Sequence, residues 1–221
     1  MAVQFADRLR EEYPAGLALD AARARALDAL AAIGLPTARD DRWKYANLRA
    51  LEKMRLAPAT RTRDAAIDTA LPARIEGFPR MVFVDGLYDA ARSDAPSADV
   101  TFESLRAAGE PRGLAENVDP SDARFALLNI AFAVDGARIA VDRGAARTRL
   151  ELVFVATADG AAAASYPRIE LTLAVQADLE LIEHHVSAGD AAGFVNAAAD
   201  IVIGERARLT HYLYGDRKSV V

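Results

Sequence analysis

The sequence predicts a mainly β fold with an N-terminal helical region, and three observations support this prediction. The first third of the chain holds an alanine-rich segment bounded by helix start and stop signals. After residue 136 the chain consists of short β-prone runs with no helix-length segment between them. Two motifs also recur: Arg-Leu-Glu-Leu at 149–152 returns as Arg-Ile-Glu-Leu at 168–171, and Ala-Asp-Leu at 177–179 as Ala-Arg-Leu at 207–209. Such recurrence among strands indicates a solenoid or a sandwich.

Composition places the chain among ordinary globular proteins. It has 221 residues, of which 52% are hydrophobic and 27% charged. The formal net charge of −5 argues against a nucleic-acid-binding protein, which would carry a basic surface. Cysteine is absent, which excludes disulfides and thiolate ligands supplied by this chain. The N-terminus is acidic where a signal peptide would be apolar, and no apolar run is long enough to span a membrane. We therefore expect a soluble cytoplasmic protein.

The N-terminal region, 1–56, is predicted to be helical. Asp20 can cap the segment "AARARALDALAAI", and Gly34 with Pro36 forms a stop signal just after it. Thr37 and Asp40 then resemble a capping box, which would begin a short helix. That helix carries the single tryptophan of the chain in the run Trp43-Lys44-Tyr45.

The middle region, 57–135, is predicted to be mixed. Residues 57–80 have the composition of a connecting loop. The segment "MVFVDGLYDA" contains an Asp85-Gly86 turn between apolar residues and predicts a β-hairpin. The segment "ARFALLNIAFAV" is apolar on nearly every side, which predicts a buried helix ending at Asp135-Gly136. Asn129 in this helix is expected to bind buried backbone groups.

The last region, 136–221, is predicted to contain the strands of successive coils of a β structure, and the set of coils is expected to be incomplete. Its six β-prone runs are "ARIAVD", "TRLELVFVAT", "YPRIELTLAV", "ADLELIEHHV", "FVNAAADIVIG" and "ARLTHYLYG". The final run has no capping helix after it, so a strand edge would be exposed. We therefore expect self-association through this end.

The histidines are the only candidates for a metal site in the sequence, and they are weak ones. His184 and His185 are adjacent on a predicted strand and face opposite sides, so they cannot both bind one ion from that strand. His211 could approach one of them from a neighbouring strand, and Glu183 could add a carboxylate. The expectation is nevertheless that the chain binds no metal, with one histidine packed and the other solvated.

The sequence gives little support for a nucleotide-binding site or a hydrolase active site. The chain has no GxxxxGK[ST] or GxGxxG nucleotide loop and no GxSxG nucleophile motif. Strand carboxylates could form a glycosidase pair, but their alternating positions predict a solvated strand face. These carboxylates are Glu151, Glu170, Glu180 and Glu183.

Several segments, in order along the chain, resemble the SufD family of the Suf iron–sulfur cluster assembly machinery. They are "GLPTARDDRWKYANLRAL", "MVFVDGLYDA", "FALLNIAFAVDGARIAVDRG", "LELIEHHVS" and "ARLTHYLYG". The resemblance implies an N-terminal helical region leading into a right-handed parallel β-helix, a single-stranded solenoid that is truncated here at its C-terminal end. Family chains are about twice as long, and their SufC-contacting region appears to be missing from this one. In the family, a Glu lies two positions before the Trp-Lys-Tyr run. In this chain that position is Asp41.

The resemblance further implies a non-catalytic scaffold in a complex with SufB-like and SufC-like proteins. No cofactor is expected on this chain alone, and an iron–sulfur cluster belongs to the assembled complex. The family-motif positions, expected to be structural, are Trp43, Lys44, Tyr45, Asn129, Asp135 and Gly136. Two alternatives stay open: a β-solenoid carbohydrate-active or carbohydrate-binding protein that uses strand carboxylates, and a structural fragment without activity of its own.

Overall fold

A computed structural model of the chain describes residues 2–37, 40, 43–45, 55–58, 67–108, 123–157, 164–188 and 193–216. The helices are α1 (Ala2–Glu11), α2 (Ala21–Ile33), α3 (Ile67–Ala70), α4 (Leu105–Ala108) and α5 (Arg124–Phe132). The strands are β1 (Arg80–Val84), β2 (Leu87–Tyr88), β3 (Val100–Ser104), β4 (Ala137–Val141), β5 (Thr148–Ala156), β6 (Ala164–Ser165), β7 (Arg168–Leu173), β8 (Asp178–Ser187), β9 (Phe194–Val195), β10 (Ala198–Ile203) and β11 (Arg208–Asp216). Among the described helices none combines the length and apolar character that crossing a bilayer requires.

The strands form three sheets. The first has the order β11-β8-β5-β1-β2, the second β10-β7-β4-β3, and the third is the pair β6-β9. Within the two larger sheets, neighbouring strands are parallel except at one end of each, where β2 runs antiparallel to β1 and β3 antiparallel to β4. Both larger sheets are therefore mixed.

The predicted right-handed parallel β-helix is wrong. The sheets combine parallel and antiparallel strands with a few helices and do not form a closed solenoid, so the architecture fits an α/β fold. The physical reason is that the β-prone runs identify strands but not their neighbours. The hairpin turn at Asp85-Gly86 makes one antiparallel edge, and the pairing of β3 with β4 makes the other.

The sequence repeats have different outcomes. The motif at 177–179 and its copy at 207–209 lie side by side, because Asp178 pairs with Arg208 and Leu179 with Leu209 in the β8–β11 ladder. The motif at 149–152 and its copy at 168–171 lie on β5 and β7, which belong to different sheets. Only the recurrence of the 177–179 motif at 207–209 therefore reflects strand pairing.

Local predictions from the sequence are largely confirmed. Asp20 caps α2 by accepting a hydrogen bond from the Arg23 backbone N–H at 2.8 Å, and Gly34 ends the helix with φ of 71°. Asp85 and Gly86, both with positive φ, form the hairpin turn. All six β-prone runs contain strands. The run Pro120-Ser121-Asp122, which by sequence would begin α5, lies outside the described residues.

Half of the capping box that the sequence suggests at Thr37 is present, because the Asp40 backbone N–H donates to the Thr37 carbonyl at 3.0 Å rather than to its hydroxyl. The Asp40 carboxylate accepts hydrogen bonds from the Thr37 backbone N–H at 2.7 Å and from its hydroxyl at 3.0 Å. Asp40 also binds the Arg124 guanidinium at 3.0 Å, and this contact, with the Thr37 hydrogen bonds, lowers the pKa of Asp40 to about 2. The contact attaches Asp40 to α5.

The largest core lies between the two main sheets and is built from alternate residues of their strands. Its middle is aromatic and aliphatic, as in Phe83 of β1, Phe154 of β5 and Leu181 of β8. A second core joins α1, α2 and α5 through Leu9, Leu30 and other apolar residues. A third covers the opposite face of the five-stranded sheet with residues around Ile67 of α3. The central strands of that sheet are therefore buried on both faces.

Arg23 joins α2 to α5. It is only 8% exposed, and its Nη1 group donates hydrogen bonds to the carbonyls of Ile130, Ala131 and Ala133 at 3.4, 3.2 and 2.8 Å. Carbonyls at a helix C-terminus have no intrahelical partner, so Arg23 satisfies groups that burial would otherwise leave unbonded.

We expect Arg23→Leu to lower the free energy of unfolding by about 2–3 kcal/mol, since it leaves buried carbonyls without donors. Arg25→Leu, an exposed position on the same helix, should change it by about 0.5 kcal/mol or less. Urea unfolding followed by circular dichroism measures both. Equal effects of the two substitutions would show that the carbonyl contacts do not stabilise the fold.

Candidate functional site

Ionisable side chains of the five-stranded sheet gather into two clusters, one on each face. Because successive residues of a strand point to opposite faces, β8 places His185 towards the core between the main sheets and His184 on the other side. The inner cluster consists of Glu183, His185 and His211. The outer cluster consists of Arg80, Glu151 and His184. Both draw on neighbouring strands, since the parallel register brings these positions together.

In the inner cluster two histidines share one carboxylate. His185 Nε2 lies 2.5 Å from Glu183 Oε1, and His211 Nε2 lies 2.9 Å from Glu183 Oε2. An ionised carboxylate only accepts hydrogen bonds, so both Nε2 atoms act as donors. The His185 ring also stacks on Phe154, with ring centroids 5.1 Å apart. Since His211 belongs to β11 and the other two to β8, the cluster fastens these strands together.

Burial and hydrogen bonding act in opposite directions on Glu183. Its side chain is buried, and burial alone would raise the pKa of the carboxyl. Hydrogen bonds from His185 and His211, with their charges, outweigh this effect and lower the pKa of Glu183 to about 2. The carboxylate is therefore ionised throughout the physiological range.

In the outer cluster Arg80 and Glu151 form a buried bidentate ion pair. Arg80 Nε lies 2.6 Å from Glu151 Oε2 and Nη2 lies 2.8 Å from Oε1, with side chains 3% and 0% exposed. The same guanidinium donates to the carbonyls of Pro72 and Ala73 at 2.9 Å each. Every oxygen of the carboxylate and most donors of the guanidinium are thus used, as a buried pair requires.

His184 lies at the margin of this pair. Its Nε2 is 3.2 Å from Glu151 Oε1, which is ion-pair distance, but it is not aligned for a hydrogen bond. Burial lowers the pKa of His184, and the Glu151 charge offsets this only in part. The ring stacks on Tyr214 of β11, with centroids 5.3 Å apart.

The structure corrects the prediction that the strand carboxylates are solvated. Glu151, Glu170 and Glu183 are 0%, 8% and 5% exposed. Glu170 lies 3.0 Å from Arg138 Nε and 3.3 Å from Arg168 Nη2, so it too is paired. The prediction failed because alternation implied one solvated face, whereas both faces of these strands are covered. Only Glu180, paired with Arg149 at 3.3 Å, is partly exposed.

The weak metal candidates are divided between the faces. His185 and His211 approach each other through Glu183, while His184 belongs to the outer cluster. In the described part of the chain, no group of three or more His, Cys, Asp or Glu side chains could hold a metal ion. The carboxylates are paired with arginine or histidine, and no observation favours the carbohydrate alternative.

The family-motif positions differ in their contacts and exposure. The Trp43 ring packs on Phe125 of α5, with centroids 5.1 Å apart. Tyr45 is 93% exposed, and the Lys44 ammonium lies 5.7 Å from the centre of its ring. Asn129 donates from Nδ2 to the carbonyls of Pro167 at 3.0 Å and Asn196 at 2.7 Å.

Asp135 and Gly136 close the junction between α5 and β4. Asp135 Oδ1 accepts from the backbone N–H groups of Arg106 and Gly136 at 3.0 and 2.8 Å, and Oδ2 accepts from that of Tyr88 at 3.0 Å. A side chain at Gly136 would collide with the Arg168 carbonyl and with Leu105. Only glycine therefore fits at this position.

Sequence reasoning missed the arginines that neutralise the buried carboxylates, Arg80, Arg138 and Arg168. One signal was available. Arg80 directly precedes the apolar run of β1, and a charged residue within a strand buried on both faces needs a partner. The sequence does not show which glutamate supplies it, because Arg80 and Glu151 are distant along the chain.

Comparison with known proteins finds a similarity that covers most of this chain but only part of the other protein. No family model matches the sequence. The chain is 30% identical over 189 residues to the iron–sulfur cluster assembly protein SufD of Escherichia coli (strain K12). The matched region is 84% of this chain and 43% of that protein, so the chain spans less than half the length of this relative. The similarity supports a relationship to SufB/SufD-type proteins.

The Arg80–Glu151 pair can be tested by removing one partner. We expect Glu151→Gln to lower the free energy of unfolding by about 3–5 kcal/mol, because it leaves Arg80 buried without a counter-charge. Replacing both residues, Arg80→Met with Glu151→Leu, should recover most of this loss. The matched control is Glu180→Gln, which breaks a partly exposed pair on the neighbouring strand and should cost about 1 kcal/mol or less. Chemical denaturation measures all three variants, and a Glu151→Gln protein as stable as the control would contradict this assignment.

The inner cluster predicts a specific acid sensitivity. A carboxyl with a lowered folded-state pKa stabilises the fold above its unfolded value, 4.5, and loses that contribution as the pH falls to about 2. Between these pH values the wild-type protein should lose roughly 2–3 kcal/mol more unfolding free energy than Glu183→Gln. Urea titrations at a series of pH values measure this difference. A Glu183→Gln profile parallel to wild type would refute the role of the cluster.

Proposed function

We propose that the chain is a component of iron–sulfur cluster assembly that acts as a non-catalytic scaffold. The observation that carries the proposal is the similarity to SufD, which extends over 84% of the chain rather than over one motif. An iron–sulfur cluster would be cargo of the assembled complex, with ligands that this cysteine-free chain does not supply by itself.

The arrangement of the ionisable groups is consistent with a scaffold. The buried carboxylates of Glu151, Glu170 and Glu183 lie 2.5–3.3 Å from arginine or histidine nitrogens within the chain. A general acid or base needs access to a substrate proton, and these groups have none on their buried faces. The ion pairs and hydrogen bonds of these groups join neighbouring strands. The rigid sheet surfaces that result are suited to protein–protein contacts.

Partners of the SufB and SufC type follow from this proposal. An assembly protein works by presenting a surface, and the described part of the chain exposes large apolar side chains mainly on strands β10 and β11. Such exposed groups mark interaction sites in soluble proteins when they are contiguous. The chain covers less than half of SufD, so which partner contacts it retains is part of the proposal.

Co-purification tests the scaffold function. The tagged chain is expressed with SufB and SufC of the Escherichia coli system, and capture of either protein is expected. Full-length SufD is the positive control. A chain with Leu181→Asp in the main core should lose the fold and therefore the capture. Absence of capture by the folded chain, with capture by SufD, would refute partner binding by this chain.

A further inference from the structure

Residues 67–73 lie over the outer face of the five-stranded sheet, opposite the core between the two main sheets. Ile67 of α3 is 1% exposed and packs, together with Ala70 and Leu71, against valines of β1, β5 and β8. These valines are Val82, Val84, Val153, Val155 and Val186. We call residues 67–73 the cover and these valines the valine face. Without the cover, the valine face would be a contiguous apolar surface of the kind that binds other proteins.

Two arginines attach the cover to the sheet, one at each end. Near its start, Asp68 accepts a hydrogen bond from Arg92 Nε at 2.7 Å. At its end, the Arg80 guanidinium donates to the last two carbonyls of the cover, at 2.9 Å each. The same guanidinium is held by Glu151. The end of the cover therefore depends on the buried Arg80–Glu151 pair.

His184 lies between the valine face and this ion pair. Val153 of β5 is its partner in the parallel register, and Val186 lies on the same face of β8 two residues later. The Nε2 atom of His184 is buried, lies 3.2 Å from Glu151 Oε1 and has no hydrogen-bond partner among the described residues. An imidazolium here would place a second cation beside Arg80 and would keep its charge away from water. The covered state therefore disfavours the protonated form of His184.

We propose that the cover opens on mild acidification and that His184 is the group that senses the pH. In the covered state burial lowers the pKa of His184, the Glu151 charge offsets this in part, and the charges of Arg80 and His185 lower it further. Opening returns the imidazole to water and to its ordinary pKa of 6.5. The covered state is therefore favoured above pH 6.5 and loses this advantage as the pH falls, because the open state binds the proton more tightly.

The carboxylates that attach the cover keep their charge over this pH range. The hydrogen bond from Arg92 lowers the pKa of Asp68. Arg74, which follows the cover, binds Asp94 at 2.6 Å and lowers the pKa of that carboxyl. Both carboxylates are therefore ionised in mild acid, so their contacts do not account for opening between pH 7.5 and 5.5.

His184 differs in position from the other two histidines of the chain. His185 and His211 bind Glu183 on the inner face, so the sheet separates them from the cover. The remaining titratable side chain in contact with His184 is Tyr214 of β11, among the described residues, and its ring stacks on the imidazole with centroids 5.3 Å apart. His184 is thus the histidine whose protonation acts on the cover.

Hydrogen exchange of the backbone tests the proposal on the purified chain, independently of the scaffold function. Protection is measured at pH 7.5 and 5.5 and corrected for the pH dependence of intrinsic exchange. Residues 67–73 should be less protected than β4 at both pH values, which identifies local opening. Their protection should fall several-fold at pH 5.5, with a limit of about tenfold set by the ordinary pKa of 6.5. His184→Gln, which cannot be protonated, should remove this fall.

His211→Gln is the matched control. It removes a histidine from the other face of the same sheet and should leave the pH response of the cover unchanged. Thermal melting checks that both variants are folded. An NMR titration of the wild-type imidazoles gives a readout that needs no folded variant, and His184 should titrate below pH 6.5. Equal protection of the cover at both pH values, a His184 midpoint above 6.5, or an unchanged response in His184→Gln overturns the proposal, as does loss of the response in His211→Gln.

Discussion

The central strands of the five-stranded sheet are buried on both faces, and most other features of the molecule depend on this constraint. One face of β5 and β8 packs into the core between the sheets, and the other is covered by residues around α3. A charge on such a strand cannot reach water, so it must be paired inside the protein. The Arg80–Glu151 pair and the Glu183 cluster meet this requirement on opposite faces of the same sheet.

These pairs also determine how the strands are joined. Backbone ladders connect each strand to its neighbours, but they do not by themselves distinguish one register from another. Arg80 on β1 needs a carboxylate on β5, and Glu183 on β8 needs an imidazole on β11. A shift of one residue would move each of these groups to the wrong face and leave a buried charge unpaired. The ionic contacts therefore contribute to the specificity of the fold as well as to its stability.

Polar contacts of a different kind join the helices to one another and to the sheets. Arg23 and Asn129 bind backbone carbonyls, and Asp135 binds backbone N–H groups. Such contacts satisfy chain segments that leave regular structure while buried. Asn129 and Asp135 lie in a motif that resembles the SufD family, so packing and hydrogen bonding account for these motif positions.

Local structure could be predicted well from the sequence. The cap at Asp20, the hairpin turn at Asp85-Gly86, the buried helix α5 and the six strand-forming runs all depend on residues close together in the chain. The arrangement of His184 and His185 on opposite faces follows in the same way from strand periodicity. Short-range steric and hydrogen-bonding preferences of the residues are sufficient for these features.

The larger arrangement could not be predicted in this way. Resemblance suggested a β-helix, whereas the chain forms mixed sheets with antiparallel edges. Alternation suggested solvated glutamates, whereas Glu151 is fully buried against Arg80. The sequence by itself determined the strands, turns, caps and the alternation of side chains along each strand. Only the tertiary structure decided which strands are neighbours and which charges are paired, because burial and ion pairing depend on contacts between residues that are far apart in the chain.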